Sequence, residues 1–105
     1  EELLDAATPP TAIVYSNDNM AIAGLGVAQR RGLDVPRDLS ITGFDDTEIG
    51  RHLHPAITSV STDARGWGAA AARALLEAIA GAEAGAIDLP DPRLVVRAST
   101  GAPRA

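Results

Sequence analysis

Leu39-Ser-Ile-Thr-Gly-Phe-Asp-Asp46 begins as a run of β-preferring residues and ends in two adjacent carboxylates. An apolar run this short, bounded by turn residues, is typical of a buried strand. Gly43 carries no side chain, so another group can approach the backbone closely at that point. Because ligands of open α/β sheets bind beyond the carboxyl ends of the strands, Asp45 and Asp46 are candidate ligand residues.

A second segment nearer the amino end has the same plan. Ala12-Ile-Val-Tyr15 is a short apolar run, and the polar turn Ser16-Asn-Asp18 leads from it into a predicted helix. Asn17 or Asp18 can cap that helix. If the two strands are parallel, a right-handed crossover joins them and both polar ends lie at one sheet edge. We therefore expect Asn17 and Asp45 to converge on one crevice.

The rest of the chain predicts further short elements in alternating order. Helices are expected over about residues 19–31, 47–53 and 64–80, and strands over residues 57–60, 87–89 and 94–98, after a helix tail at residues 1–7. Strands that alternate with helices predict an α/β fold with a parallel sheet. A length of 105 residues allows one domain at most.

Four segments together resemble a known family. In order and spacing they resemble the effector-binding domain of the lactose-repressor/galactose-repressor (LacI/GalR) family of transcriptional regulators. The resemblance covers nearly the whole chain and implies a periplasmic-binding-protein-like (type I) parallel sheet flanked by helices. It matches the C-terminal part of that domain and includes no DNA-binding headpiece. The segments are Ser16-Asn-Asp-Asn-Met-Ala21, Gly32-Leu-Asp-Val-Pro-Arg-Asp-Leu-Ser-Ile-Thr-Gly-Phe-Asp-Asp46, Pro55-Ala-Ile-Thr-Ser-Val60 and Leu94-Val-Val-Arg-Ala-Ser-Thr100.

The resemblance also implies how the chain is divided between the two lobes of such a domain. Residues 1–61 would form part of the C-terminal lobe. Residues 62–90 would be a crossover segment, a helix and a strand that belong to the other lobe. Residues 91–100 would return to the C-terminal lobe as a strand, and residues 101–105 would be a disordered tail.

Effector-binding residues are implied by the resemblance position by position. Asp45 corresponds to the family's aspartate that contacts the effector, and Asn17 corresponds to an asparagine that can do likewise. A carboxylate and an amide together accept from and donate to hydroxyls, which suits a polyol ligand. Thr62 stands where many members carry a glutamine that touches the ligand, so the identity of the effector does not carry over. Ser16 and Asp18 are secondary candidates.

The predicted helix after the first strand carries two apolar stripes. One stripe must cover the sheet, and the other is either ordinary core against a neighbouring helix or a subunit interface. The resemblance favours the interface, because this helix helps to dimerise family members. The predicted homodimer interface comprises Ile22, Leu25, Gln29 and Leu53.

Catalytic and metal-binding interpretations have less support. Adjacent residues at a strand end point to opposite sides, so Asp45 and Asp46 do not face one another as an acid/base pair or metal site requires. We expect one to bind ligand while the other caps the next helix. His52 and His54 fall on different faces of a predicted short helix and are interpreted as surface or interface residues, and Arg51 as a solvated charge.

Composition excludes several functions. The net charge is −5 and all nine basic residues are arginines, which excludes lysine-dependent Schiff-base, Walker-type and phospho-receiver chemistry. The absence of cysteine excludes disulfides and thiol chemistry and fits a cytoplasmic protein. An acidic chain without a basic cluster is not expected to bind duplex DNA by itself. We expect no enzyme activity, no metal and no cofactor.

The sequence thus predicts the effector-sensing portion of a cytoplasmic, DNA-binding transcriptional regulator. The expected partners are a small-molecule effector (a sugar, a sugar phosphate, or a nucleoside or purine) and a second copy of the chain. Operator DNA would be reached only through the missing N-terminal helix-turn-helix, and no membrane partner is expected. The alternative is a periplasmic sugar-binding protein of a transport system, which shares the fold. Against it stand Val35-Pro-Arg-Asp-Leu-Ser40 and Val96-Arg-Ala-Ser-Thr100, which resemble the repressors.

Overall fold

The computed structural model describes residues 2–83 and 85–103, and the chain falls into two compact units. The first unit combines residues 1–61 with residues 94–105, and the second is residues 62–93. The chain therefore leaves the first unit once and returns to it once.

Strands and helices alternate through the first unit. β1 (Ala12–Val14) and β2 (Ser40–Thr42) are parallel, with Ile13 opposite Ile41, and an isolated parallel bridge joins Thr42 to Thr58, the residue before β3 (Ser59–Ser61). β3 pairs with β4 (Arg93–Val95). The carboxyl ends of β1, β2 and β3 therefore lie at one edge of the sheet, and the predicted α/β class is confirmed. The elements are a 3-10 turn at Glu2–Leu4, β1 (Ala12–Val14), α1 (Asp18–Arg30), β2 (Ser40–Thr42), α2 (Glu48–His52), β3 (Ser59–Ser61) and β4 (Arg93–Val95).

The core of the first unit lies where α1 covers the sheet. α1 begins at Asp18 because the Asn17 side-chain oxygen accepts from the Met20 N–H at 2.9 Å. It ends at Arg30, shortly before Gly32, whose φ of 71° suits a helix terminus. Burial of each large aliphatic side chain beneath α1 stabilises the fold by about 1.5–3 kcal/mol. The buried apolar residues are Ala21, Leu25, Ala28, Val35, Leu39, Ile41 and Ile57.

Ser99 closes the gap between β2 and the segment that leads into β3. Its backbone N–H donates to the Ala56 carbonyl at 3.0 Å, and its carbonyl accepts from the Ile41 N–H at 2.8 Å. Its hydroxyl accepts from the Thr58 N–H at 2.8 Å and donates to the Ile41 carbonyl at 2.6 Å. One fully buried serine thus supplies four hydrogen bonds that the sheet otherwise lacks.

Ser99→Ala should therefore destabilise the protein. It leaves the buried Thr58 N–H and Ile41 carbonyl without the hydroxyl, which costs about 2–4 kcal/mol for the two groups together. Urea denaturation of the full-length protein measures this loss. Ser16→Ala is the matched control, because Ser16 is exposed and its substitution should change stability by less than about 0.5 kcal/mol. Equal losses for the two variants would contradict the structural role of Ser99.

The second unit is built on one long helix, α3 (Ala64–Ile79). The Asp63 side chain caps it by accepting from the Gly66 N–H at 2.9 Å, and Gly81, with a φ of 89°, follows its end. No residue of α3 is buried within this unit, and Leu75, Leu76 and Ile79 are exposed. None of the helices in residues 2–83 and 85–103 is long and apolar enough to cross a membrane.

Three sequence predictions near the carboxyl end need correction. Residues 87–89 form no strand, because their alternating pattern finds no partner strand in the described part of the chain. The strand predicted over residues 94–98 is shorter and begins earlier, at Arg93–Val95. The tail is not free from residue 101 onward, because the Gly101 N–H donates to the Ser40 hydroxyl at 3.1 Å. Residues 104 and 105 lie outside the described residues, as does Glu1 of the predicted helix tail.

Candidate ligand-binding site

Asp18 holds the loops after β1 and β2 together. Its N–H donates to the Phe44 carbonyl at 2.8 Å, and its carboxylate accepts from the Thr47 N–H at 2.6 Å and the Ser59 hydroxyl at 2.6 Å. The Thr47 hydroxyl adds a bond at 3.0 Å. A Cβ on Gly43 would collide with the Asp18 carboxylate, which explains the glycine there. Asp18, predicted as a secondary ligand contact, is only 1% exposed and acts inside the fold.

Asp45 and Asp46 have strained backbones. Their φ angles are 99° and 51°, in the left-handed region that side-chain-bearing residues rarely adopt. Such residues cost on the order of 1–3 kcal/mol each and cluster at functional sites. Asp45 is exposed, and its carboxylate has no hydrogen bond or ion pair within the described ranges. This acceptor is therefore open to solvent at the carboxyl end of β2.

Asn17 presents a donor on the neighbouring loop. Its oxygen is used by the helix cap, but its amide nitrogen has no hydrogen-bond partner among residues 2–83 and 85–103. Ser16 is exposed, and its hydroxyl lies 3.1 Å from the Met20 sulfur. Because Asp18 bonds to Phe44, the loops that carry Asn17 and Asp45 are neighbours. The edge thus offers a free amide donor and a free carboxylate acceptor.

Asp46 lies in a different environment from the exposed Asp45. It is buried, with one oxygen 2.8 Å from Arg51 and the other paired with Arg97. Burial alone would raise the pKa of Asp46, but the hydrogen bond and charge of Arg97, aided by Arg51, lower it overall. The resulting stabilisation is present above the unfolded pKa, about 3.9, and is lost as the pH falls through the lower folded pKa. Arg51 is thus an ion-pair partner and not only a solvated charge, and the cap position of α2 falls to Thr47 instead of Asp46.

Arg97 was not predicted from the sequence as a functional residue. Besides Asp46, it reaches the Ile57 carbonyl at 2.8 Å through its guanidinium, and its N–H donates to the Thr58 hydroxyl at 2.9 Å. Asp46 and Arg97 are 51 residues apart, so no local pattern connects them. The available signal was a lone arginine among small and apolar residues in the last family-like segment.

The predicted interface residues lie in different environments. Leu25 is 3% exposed and belongs to the core, so it offers almost no surface to a second copy, contrary to its predicted role. Ile22 and Leu53 are partly buried against the same core. Gln29 is exposed and donates to the His54 carbonyl at 3.2 Å. Three of the four residues therefore retain some accessible surface.

The remaining candidates are Thr62, His52 and His54. Thr62 belongs to the second unit, where its carbonyl accepts from the Ala64 N–H at 2.9 Å. His52 and His54 are exposed. Among the described residues, no group of three or more His, Cys, Asp or Glu is placed to hold a metal ion.

Comparisons with known proteins agree with this fold. The periplasmic binding protein-like domain family matches residues 1–100. The HTH-type transcriptional repressor CytR of Escherichia coli (strain K12) is 38% identical over 101 residues, which are 95% of this chain and 30% of that protein. A LacI family transcriptional regulator from Bifidobacterium animalis subsp. lactis DSM 10140 has a TM-score of 0.89 at 41% identity, covering 99% of this chain and 38% of that one.

Two similar structures contain bound molecules. The lac repressor dimer bound to operator and the anti-inducer ONPF has a TM-score of 0.86 at 32% identity, over 96% of this chain and 35% of that one. The transcriptional regulator CelR–cellobiose complex has a TM-score of 0.84 at 34% identity, over 93% of this chain and 30% of that one. This chain thus spans about a third of the length of these relatives. The chain belongs to the periplasmic binding protein-like domain family, in the form found in LacI-family transcriptional regulators.

Proposed function

We propose that this chain is part of the effector-sensing portion of a DNA-binding transcriptional regulator, and that it binds a sugar or related small molecule through Asn17 and Asp45. The observation that carries the proposal is the exposed Asp45 carboxylate, held on a strained backbone without a partner in the described part of the chain. Strain retained at an exposed polar residue is typical of a ligand contact.

The chemistry of the free groups fits a ligand rich in hydroxyls. The Asp45 carboxylate accepts hydrogen bonds, and the Asn17 amide nitrogen donates them, so one polyol can satisfy both. Ser16, also exposed, extends the same edge. In this proposal Asp18 supports the two loops from beneath, because its carboxylate is already engaged by Thr47 and Ser59.

The proposed partners follow from the relatives. The similar lac repressor structure is a dimer bound to operator. We extend this to a homodimer that uses Ile22, Gln29 and Leu53, with operator DNA bound by a helix-turn-helix outside these residues, and to a cytoplasmic protein without enzyme activity. A transport role has less support, because the relatives described above are regulators.

A thermal-shift screen of the full-length protein tests ligand binding directly. The panel should contain cellobiose, other sugars, sugar phosphates, nucleosides and purines. A compound that binds only the folded state raises the melting temperature as its concentration increases. At one hundred times its Kd, it adds about 2.7 kcal/mol to the free energy of unfolding. Failure of every class in the panel to stabilise the protein would contradict the proposed sensing role.

Asp45→Ala should weaken binding of the best panel compound by about 1.5–3 kcal/mol, roughly 10- to 150-fold, the scale of a hydrogen bond to a charged group. Calorimetry on the full-length protein measures it. Asp45→Gly is the matched variant, because glycine adopts positive φ without steric cost. Asp45→Gly should bind the compound as weakly as Asp45→Ala does, and its thermal stability should not fall. Wild-type affinity in both variants would remove Asp45 from the site.

A further inference from the structure

Neighbouring groups must hold Asp45 and Asp46 in their unfavourable backbone conformations. The Asp45 N–H donates to the Val60 carbonyl at 3.0 Å, and the Asp46 N–H donates to the Ser59 hydroxyl at 3.0 Å. Both acceptors belong to β3, directly before the chain passes into the second unit after residue 61. The third attachment is the Asp46 carboxylate.

Arg97 provides the partner for that carboxylate from the segment that returns to the first unit. Its side chain is 16% exposed and that of Asp46 is 7% exposed, so water screens the pair little. Bonds to the Ile57 carbonyl and the Thr58 hydroxyl fix the arginine itself. Arg51, the second partner of Asp46, is 51% exposed and contributes less.

We propose that Arg97 is a positioning residue for effector binding: by holding the Asp46 carboxylate, it fixes the backbone from which Asp45 reaches the ligand. The inference rests on the proposed function of Asp45. Asp46 is buried and pairs with two arginines, so Asp45 and not Asp46 is the ligand contact in this proposal. Asp45 and Asp46 are thus bonded to β3 and to Arg97, the two segments that border the second unit. Ligand binding at Asp45 is thereby tied to the conformation of both segments.

Amide hydrogen exchange tests whether Arg97 fixes the backbone at Asp45 and Asp46, and this test needs no ligand. In full-length Arg97→Lys, a lysine keeps the charge but cannot bridge the Ile57 carbonyl and Asp46 as a guanidinium does. The amides of Asp45 and Asp46 should exchange at least about tenfold faster, whereas the Tyr15 amide, bonded to the Thr42 carbonyl at 2.9 Å, should change less than about twofold.

Arg51→Gln is the matched control, because it removes the more exposed arginine of the same cluster. Because Arg51 also donates to the Asp46 carbonyl at 3.1 Å, this variant should accelerate the Asp45 and Asp46 amides less than Arg97→Lys does and leave the Tyr15 amide within about twofold of the wild-type rate. Equal acceleration of all three amides in Arg97→Lys would indicate only a loss of global stability and would overturn the proposal. So would unchanged exchange at Asp45 and Asp46.

Binding measurements separate the positioning role from the ligand site itself. With cellobiose, or with the most stabilising panel compound if cellobiose does not bind, Arg97→Lys should weaken binding about tenfold. In the Asp45→Ala background it should weaken binding less than about twofold, because it acts through Asp45. Equal losses in the two backgrounds, or no loss in either, would overturn the positioning role alone. Unchanged affinity in Asp45→Ala would overturn the ligand site and this inference together.

If Arg97→Lys does not fold, the same measurements are made on Asp46→Asn instead. Asparagine keeps the shape of the aspartate side chain but removes the charge that pairs with Arg97. The same exchange and affinity changes are expected of it, and their absence would overturn the proposal.

Discussion

Leu25→Glu should unfold the first unit instead of separating two folded subunits. Leu25 is 3% exposed and packs in the cluster that includes Ile41 and Ile57. The substitution removes about 1.5–3 kcal/mol of apolar burial and also requires an unpaired carboxylate to enter the core or the core to open. The combined loss approaches the whole stability of a typical domain, about 5–15 kcal/mol. Thermal denaturation followed by circular dichroism should show a lost or strongly lowered transition.

Ala23→Glu is the matched control for this variant. Ala23 lies on the same helix but is exposed, so its carboxylate remains in water and the melting transition should be nearly unchanged. A Leu25→Glu protein that melts like the wild type but runs as a monomer in light scattering would contradict the core placement. That result would return Leu25 to the subunit interface that the family resemblance implied.

Asp18→Ala should be the second most damaging change. The buried carboxylate accepts from two groups of Thr47 and from the Ser59 hydroxyl, and its removal leaves these donors without an acceptor. A hydrogen bond to a charged group contributes about 1.5–3 kcal/mol, and the three bonds are not additive, so we expect a loss of at least about 3 kcal/mol. Urea denaturation of the full-length protein measures it.

Gly43→Ala provides an internal check on the same contact. A methyl group at this position collides with the Asp18 carboxylate, so the single variant should be destabilised. In the Asp18→Ala background the carboxylate is absent, and the added methyl group should cost less, which a double-mutant cycle detects. Wild-type stability of Asp18→Ala would instead leave its carboxylate free for the ligand contact that the sequence predicted.

Only some features of the strained residues Asp45 and Asp46 could be predicted from the sequence. The end of an apolar run, followed by two carboxylates, indicated a ligand edge, and alternation along a strand indicated that the two side chains diverge. The positive φ angles and the burial of Asp46 were not predicted. The Asp46 carboxylate pairs with Arg97, 51 residues away, and local patterns carry no information about such a pairing.

The sequence also did not predict correctly which face of α1 is buried. Helical periodicity placed Ile22, Leu25 and Gln29 on one stripe, and the resemblance to the LacI/GalR family implied an interface there. The structure instead buries residues from both predicted stripes, because small residues let the helix lie close to β2. Periodicity identifies apolar faces, but only packing against the sheet selects the face that is buried. The inward residues of α1 are Asp18, Ala21, Gly24, Leu25 and Ala28.

The sequence by itself determined the family, through its resemblance to LacI/GalR regulators, and also the α/β class, the capping of α1 from the turn Ser16-Asn-Asp18 and the edge of the sheet at which the candidate ligand groups lie. The last three features depend on short-range chemistry: apolar runs, capping side chains, and polar residues at strand ends. Tertiary structure alone decided that Asp18 is a buried support, that Leu25 is core, and that Arg97 holds Asp46. Each of these depends on contacts between residues distant in sequence, which form only when the strands pair and the helix packs on them.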